Sequence, residues 1–251
     1  MDIDKEVAKL LLKQKALGLN NFQIVKDNGT DEYIMCINKQ CNQESLDIPS
    51  YITSVSSSAQ ANDEMNTILR EVNINCEVID SFAFLNFKGI EKVNIGPDVR
   101  CIRGSAFAGT SKLKEIDLSK YKIKSINGKI APNSGVERII LPETLIQINY
   151  AFMNMPKLQE IDMSRCEGMN KLVLNALNLT GSCVDKTLRI KLHPNLKDIP
   201  KGSIIKSYGR KLIIEIDTNS SNWKPLRLNG VYNDDKIEFR DTWMTGREAK
   251  K

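Results

Sequence analysis

Histidine is nearly missing from this chain: His193 is the only one in 251 residues. That removes most of the material for imidazole general bases and for mixed Cys/His metal sites. Cys36, Cys41, Cys76, Cys101, Cys166 and Cys183 form no C-x-x-C pair, so free buried thiols are expected and no metal or cofactor is. Aromatics make up only 6% against 41% hydrophobic residues, so the core must be built from Ile, Leu and Val, which suits stacked thin layers. No apolar run approaches the roughly 20 residues of a membrane span. The opening MDIDKEVAKLLLKQK has acidic residues where a secretory leader has basic ones. Those features together predict a cytoplasmic chain with no membrane partner. The net charge of +5 is mildly basic and falls short of a nucleic-acid-binding signature.

Catalytic strings are missing too: there is no G-x-S-x-G, P-loop, G-x-G-x-x-G or H-E-x-x-H. His193 precedes Pro194 and reads as a turn residue. The acidic pair Glu115 and Asp117 recurs as Glu160 and Asp162. Recurrence speaks for architecture over an acid/base dyad, which needs two distinct environments. No catalytic residue is assigned, and the chain is not expected to be an enzyme.

What is present is a repeat. Ile90, Val93 and Ile95 match Val136, Ile139 and Leu141 in spacing; Pro97 and Pro142 follow, then Val99 and Ile102 match Leu145 and Ile148, and each unit ends in an Ala-Phe pair, Ala106-Phe107 and Ala151-Phe152. Units begin near 43, 69, 90, 113, 136, 158, 187 and 211, the fourth with a one-residue slip. A near-constant interval is what coils need if each must lie on the one before. The apolar residues at +3 and +5 have strand period and point to one face. The pair at +9 and +12 is spaced for a 3₁₀ or short α return, and the Ala-Phe pairs, including Ala83-Phe84, plug the back. Phe84, Phe107 and Phe152 are expected to stack.

The strings Leu46-Asp47-Ile48-Pro49 and Ile140-Leu141-Pro142, with the Ala-Phe pairs, resemble the BspA-type leucine-rich-repeat family over about residues 43–217. The resemblance implies an α/β-type, mainly β repeat: a right-handed solenoid with a parallel concave sheet. Surface-displayed members of that family are similar to adhesins; neither their leader nor their anchoring tail is expected here, which speaks against an adhesin role. Residues 1–42 read as a cap, an amphipathic helix with Ile3, Val7, Leu10, Leu11 and Leu17 on one stripe and then a hairpin around Asp27-Asn28-Gly29; the alternative is a helix that docks into a partner. Ser56–Asn66 reads as a loop or short helix. Residues 218–251, with both tryptophans, read as a C-terminal cap and tail.

Two surfaces compete for a function. Side chains at +2 and +4 face away from the core. The +2 column runs Glu71, Lys92, Glu115, Arg138, Glu160, Arg189, alternating in sign; the +4 column is polar except at Ile140, read as an exposed aliphatic. Lys92, Asn94, Glu115, Asp117, Arg138, Ile140, Glu160 and Asp162 are therefore the candidate contacts for a protein partner. The alternative is polyanion or nucleic-acid binding through residues 185–211, where Lys186, Arg189, Lys191, Lys197, Lys201, Lys206, Arg210 and Lys211 face only two acidic residues, with Tyr208 among them.

Overall fold

Short aliphatic runs bounded by turn residues become short strands here, and their pairing builds two ladders. The structure, a computed structural model, describes residues 2–57, 65–184, 187–200, 202–206, 210–217, 227–229 and 237–241. One helix, α1 (Ile3–Ala16), leads into β1 (Phe22–Lys26) and β2 (Tyr33–Ile37). The coils then alternate main strands with return strands. The main strands are β3 (Ser45–Ile48), β5 (Glu71–Ile74), β7 (Lys92–Ile95), β9 (Glu115–Asp117), β11 (Arg138–Ile140), β13 (Glu160–Asp162), β15 (Thr187–Leu192), β18 (Lys211–Ile216) and β20 (Ile237–Asp241). The return strands are β4 (Ser54–Ser57), β6 (Val78–Ile79), β8 (Cys101–Ile102), β10 (Ser125–Asn127), β12 (Gln147–Asn149), β14 (Leu177–Leu179), β16 (Asp198–Pro200), β17 (Ile204–Lys206) and β19 (Arg227–Asn229). The result is a parallel-sheet solenoid, mainly β, with one N-terminal helix.

Register follows the repeat. Leu46, Val72 and Val93 are opposite one another, as are Ile48, Ile74 and Ile95. Farther along, Ile116, Ile139, Ile161, Ile190 and Ile214 form one column. Each is buried, and full burial of such a side chain stabilises by about 1.5–3 kcal/mol. The main ladder does not stop at residue 217: β18 pairs with β20 in the segment expected to be a cap. Trp223, Leu226 and Trp243, and most of the expected 56–66 loop, lie outside the described residues.

The return side differs from expectation. Instead of helical turns, it carries strands of two to four residues paired coil to coil, as in β4–β6–β8 and β10–β12. Extended backbone here lets neighbouring coils within each of these ladders bond on a second side. The corners use left-handed backbone. Phe82, Ser105, Gly128, Tyr150, Asn175 and Gly202 each have φ between 55° and 85°, one per coil. A second corner holds Asn86, Gly109, Asn154 and Gly181. Asn and Gly tolerate this region best. At Gly109 and Gly181 a Cβ would also lie 2.3 and 2.2 Å from the Oδ1 of Asn86 and Asn154, so the stacked corners leave no room for a side chain.

The Ala-Phe pairs fill the back. Phe84 and Phe107 stack with ring centroids 5.5 Å apart and planes 3° apart, and Phe87 meets Phe84 edge-on at 6.1 Å. Phe152 is buried but is separated from that pair by one coil: Phe107 N–H donates to Ile130 and Ile130 N–H to Ala151, so Ile130-Ala131 occupy the intervening layer. The expected stack of three is thus a stack of two.

At the N-terminus, Asp2 caps α1 by accepting from Lys5 N–H, acidic Asp4 and Glu6 lie in the first turn, and Lys13 and Lys15 lie in the last, in accord with the helix dipole. Of the expected stripe only Val7 is buried and Leu10 half-buried; Ile3, Leu11 and Leu17 are exposed. Polar clasps hold the helix instead: Gln14 Oε1 accepts from the N–H groups of Asn21 and Phe22 at 2.9 and 3.1 Å, and its Nε2 donates to Phe22 at 2.9 Å. The β1–β2 hairpin pairs antiparallel, and β2 then joins β4. Thus the hairpin ends the return ladder. Among the described residues no helix is long and apolar enough to cross a membrane.

Candidate binding face

The main sheet presents its +2 and +4 side chains outward. Charge pairing across the coils fixes most of them. Lys92 Nζ is 2.7 Å from Glu71 Oε1. Asn94 Nδ2 donates to Glu71 and Asn73 at 2.6 Å each, and Asn73 Nδ2 donates to Asp47 at 2.5 Å. Hydrogen bonds from Lys92 and then Asn94 hold the Glu71 carboxyl below the usual range.

A larger node sits on Arg138. Its Nη1 is 3.0 Å from Glu115, its Nε 2.9 Å from Glu160 and its Nη2 3.7 Å from Asp162. Lys191 reaches Glu160 at 2.9 Å and Asp162 at 3.8 Å. Burial would raise the Glu160 carboxyl, but the hydrogen bonds from Lys191 and Arg138 outweigh it and keep it below the usual range. The same bond to Glu160, with a second to Glu115, raises the Arg138 guanidinium. Ile140 is half-buried between Asp117 and Asp162 in the register, so it does not stand free as the sequence reading had it.

One step of the ladder is open. The main strands form two sheets, β3–β5–β7 and β9–β11–β13–β15–β18–β20, with no pairing between β7 and β9. The return ladder breaks at the same place, after β8. On the remaining side the coils stay joined: Phe107 donates to Ile130 at 3.1 Å, Gly109 to Pro132 at 2.9 Å and Gly135 to Thr110 at 3.0 Å. A cleft of about 360 Å³ opens on the sheet face, with Lys92, Val93, Asn94, Glu115, Asp117 and Tyr121 in its walls. Val93 is only half-buried, unlike its register partner Val72. Among the described residues no salt bridge joins Lys92 to Glu115, so pairing along the sign-alternating column is interrupted here. The candidate set is accordingly divided: Lys92 and Asn94 on one lip, Glu115 and Asp117 on the other, and Arg138, Ile140, Glu160 and Asp162 beyond. Sequence reasoning missed Val93 and Tyr121 as cleft residues. The available signal was the one-residue slip of the apolar pattern in the coil at 113.

The basic segment does not assemble as one patch among the described residues. Arg189, Lys191 and Lys211 lie along the main sheet and meet acids: Arg189–Glu215 at 3.2 Å, Lys191–Glu160 at 2.9 Å and Lys211–Glu238 at 2.6 Å. Arg210 is 2% exposed and donates to the Leu158 carbonyl, so it is unavailable to a polyanion. Lys197 is exposed, at the turn before β16. Lys186, Lys201 and Tyr208 lie outside the described residues, and Lys206 is placed only by its backbone in β17.

His193 Nδ1 accepts from Asn195 N–H at 3.0 Å, and burial lowers the imidazole. All six cysteines are free thiols. Burial pushes Cys76 and Cys166 up to about 12, the reverse of an activated nucleophile.

The sequence pattern of the BspA type leucine-rich repeat region matches six copies across residues 35–159. The chain belongs to the BspA-type leucine-rich-repeat family. Among solved structures, this BspA-type chain is similar to a leucine-rich repeat protein from Bacteroides ovatus, with a TM-score of 0.55 and 18% identity over 88% of this chain and 66% of that one. That likeness concerns the fold, and the chain spans just under two thirds of that protein's length. A leucine rich cell surface protein from Faecalibacterium prausnitzii is a more distant match, with a TM-score of 0.32 and 12% identity over 91% of this chain and 95% of that one. No curated protein matches the chain.

Proposed function

We propose that the chain is a non-enzymatic protein-interaction module and that its partner contacts the main-sheet face around the cleft between β7 and β9. The observation that carries this reading is the coincidence, in one concavity, of half-buried apolar surface with charges of both signs: Val93 and Tyr121 beside Lys92, Glu115 and Asp117. An apolar floor with a polar rim is the usual make-up of an interface centre. Each lip belongs to a block held by its own backbone ladder, so binding need not order the strands within a lip. Family membership supports the class of function and not the identity of the partner.

The test is affinity capture from the native host with the wild-type chain and with Asp117→Lys/Lys120→Glu, which reverses two charges on the cleft. Both proteins should show the same circular dichroism. Partners retained by wild type should be lost by the variant, and unchanged retention would move the interface elsewhere. Arg138→Glu is unsuitable as a binding probe, because it would place a fourth carboxylate among Glu115, Glu160 and Asp162.

A further inference from the structure

Because the N-terminal hairpin closes the return ladder, β3 is the outer strand of the main sheet among the described residues. On its inner side the carbonyls of Glu44 and Ile48 accept from Glu71 and Asn75, each at 2.9 Å, and Leu46 pairs with Val72. Strand alternation then turns the N–H and C=O of Ser45 and Asp47 outward, away from β5. These outward groups do not look onto open solvent alone. A cavity of about 200 Å³ lies against them, with Leu10, Leu17, Leu19 and Phe22 as its apolar wall.

Asn21 also lines that cavity. It is 1% exposed. Its Oδ1 accepts from Asn42 N–H at 3.0 Å, which fixes the amide's orientation. Its Nδ2 has no partner among the described residues. A buried donor left unpaired is destabilising, and its neighbour Gln14 spends both of its polar atoms on the backbone of Asn21 and Phe22. The corner therefore combines a free strand edge, an apolar hollow and one buried donor in want of an acceptor.

We propose that this corner docks an extended peptide segment of a partner protein, which adds to the edge of β3, places one apolar side chain in the cavity and brings a backbone carbonyl to Asn21 Nδ2. Alternating N–H and C=O groups along a strand edge are matched by another extended backbone. The hollow is smaller than the roughly 300–1,000 Å³ that accommodate drug-sized ligands, and it is of the size of one or two side chains. Lys13 and Asp47 on its rim oppose each other in sign, so backbone and apolar contacts, and not net charge, select the occupant. This site is at the far end of the sheet from the cleft between β7 and β9, so either can fail without the other.

The experiment titrates the full-length, isotopically labelled chain with four blocked octapeptides, acetyl-KTVTXTVK-amide with X as Ala, Val, Leu or Phe, and reads amide shifts by NMR. Expected are shifts at Gln43–Asp47, at residues 10–22 and at the Asn21 side-chain amide, with Leu or Phe binding about tenfold tighter than Ala, a difference of about 1.4 kcal/mol. N-methylation of alternate peptide nitrogens should abolish the shifts while leaving every side chain in place. Ser45→Pro removes an outward N–H without touching the β5 pairing and should abolish binding. Leu17→Lys, at a side chain already 60% exposed, should weaken it by about tenfold. Three results would overturn the proposal: no localised shifts with any of the four peptides, equal binding of the N-methylated peptide, or concentration-dependent self-association that Ser45→Pro removes, which would make the occupant a second copy.

Discussion

Arg138 shows how a single side chain can be both legible and misread. Its place in a +2 column that alternates in sign sets it between Glu115 and Glu160, and both pairs form. The pattern could not reveal that Asp162, from the +4 column, also comes within 3.7 Å, or that Ile140 beside it is half-buried. Arg210 illustrates the opposite failure: counting charges places it in a basic patch, yet its guanidinium turns inward to the Leu158 carbonyl. Composition records charge, and only packing assigns direction. Arg138→Ala should destabilise the chain by about 1 kcal/mol at low salt, because a partly exposed pair is worth little but three carboxylates are left facing one another. Raising salt should shrink the difference from wild type. Acidification should shrink it too. The Glu160 carboxyl is lowered from 4.5 in the folded chain, so its stabilisation is present above that value and is lost as pH falls through the folded value. Urea unfolding at two salt concentrations, and at pH 7 and pH 3, checks both trends. An unchanged difference throughout would mean that Arg138 acts through packing.

Among elements, the main strands were readable because two apolar residues at +3 and +5 carry strand period, even in runs as short as Glu115–Asp117. The return strands were not. Val78–Ile79 and Cys101–Ile102 are two residues long, and the preceding apolar residue lies three positions back, which mimics a helical turn. What makes them strands is pairing with the neighbouring coil, a tertiary effect that local spacing cannot show. The corners were missed for a related reason: Asn86 and Asn154 advertise left-handed backbone, but Phe82 and Tyr150 occupy it against their preference. The phenylalanine column offers a sharper test of register. Phe84→Ala, Phe107→Ala and Phe152→Ala should each cost about 3–5 kcal/mol. In double-mutant cycles the Phe84/Phe107 pair, with stacked rings, should couple by about 0.5–1.5 kcal/mol. Phe107 and Phe152, separated by Ile130-Ala131, should add to within about 0.5 kcal/mol. Equal coupling for both pairs would contradict the interposed layer.

At the scale of the whole molecule, the repeat spacing disclosed a solenoid and marked its seam only by a one-residue slip. A stack of coils held by nearest-neighbour contacts is only as cooperative as its weakest junction. Between β7 and β9 both ladders lapse, and the described backbone bonds that cross lie on the back, at Ser105, Phe107, Gly109 and Gly135. The residues on the two lips are therefore tied to separate blocks, Lys92 to Glu71 and Glu115 to Arg138. Native-state hydrogen exchange should resolve two cooperative blocks with the boundary between residues 95 and 115, since protection follows contiguous units. Gly135 gives a way to widen the seam. A Cβ there would lie 2.0 Å from the Ser111 carbonyl oxygen, so Gly135→Ala must push the back of the two coils apart. Exchange at the N–H groups of Phe107, Gly109 and Gly135 should then quicken, while those within β13 and β15 keep their wild-type protection. Uniform acceleration across residues 71–192 would instead mean that the solenoid opens as one body. In that case the cleft would be a fixed notch in a continuous cooperative stack, and its two lips would not move independently to fit a partner.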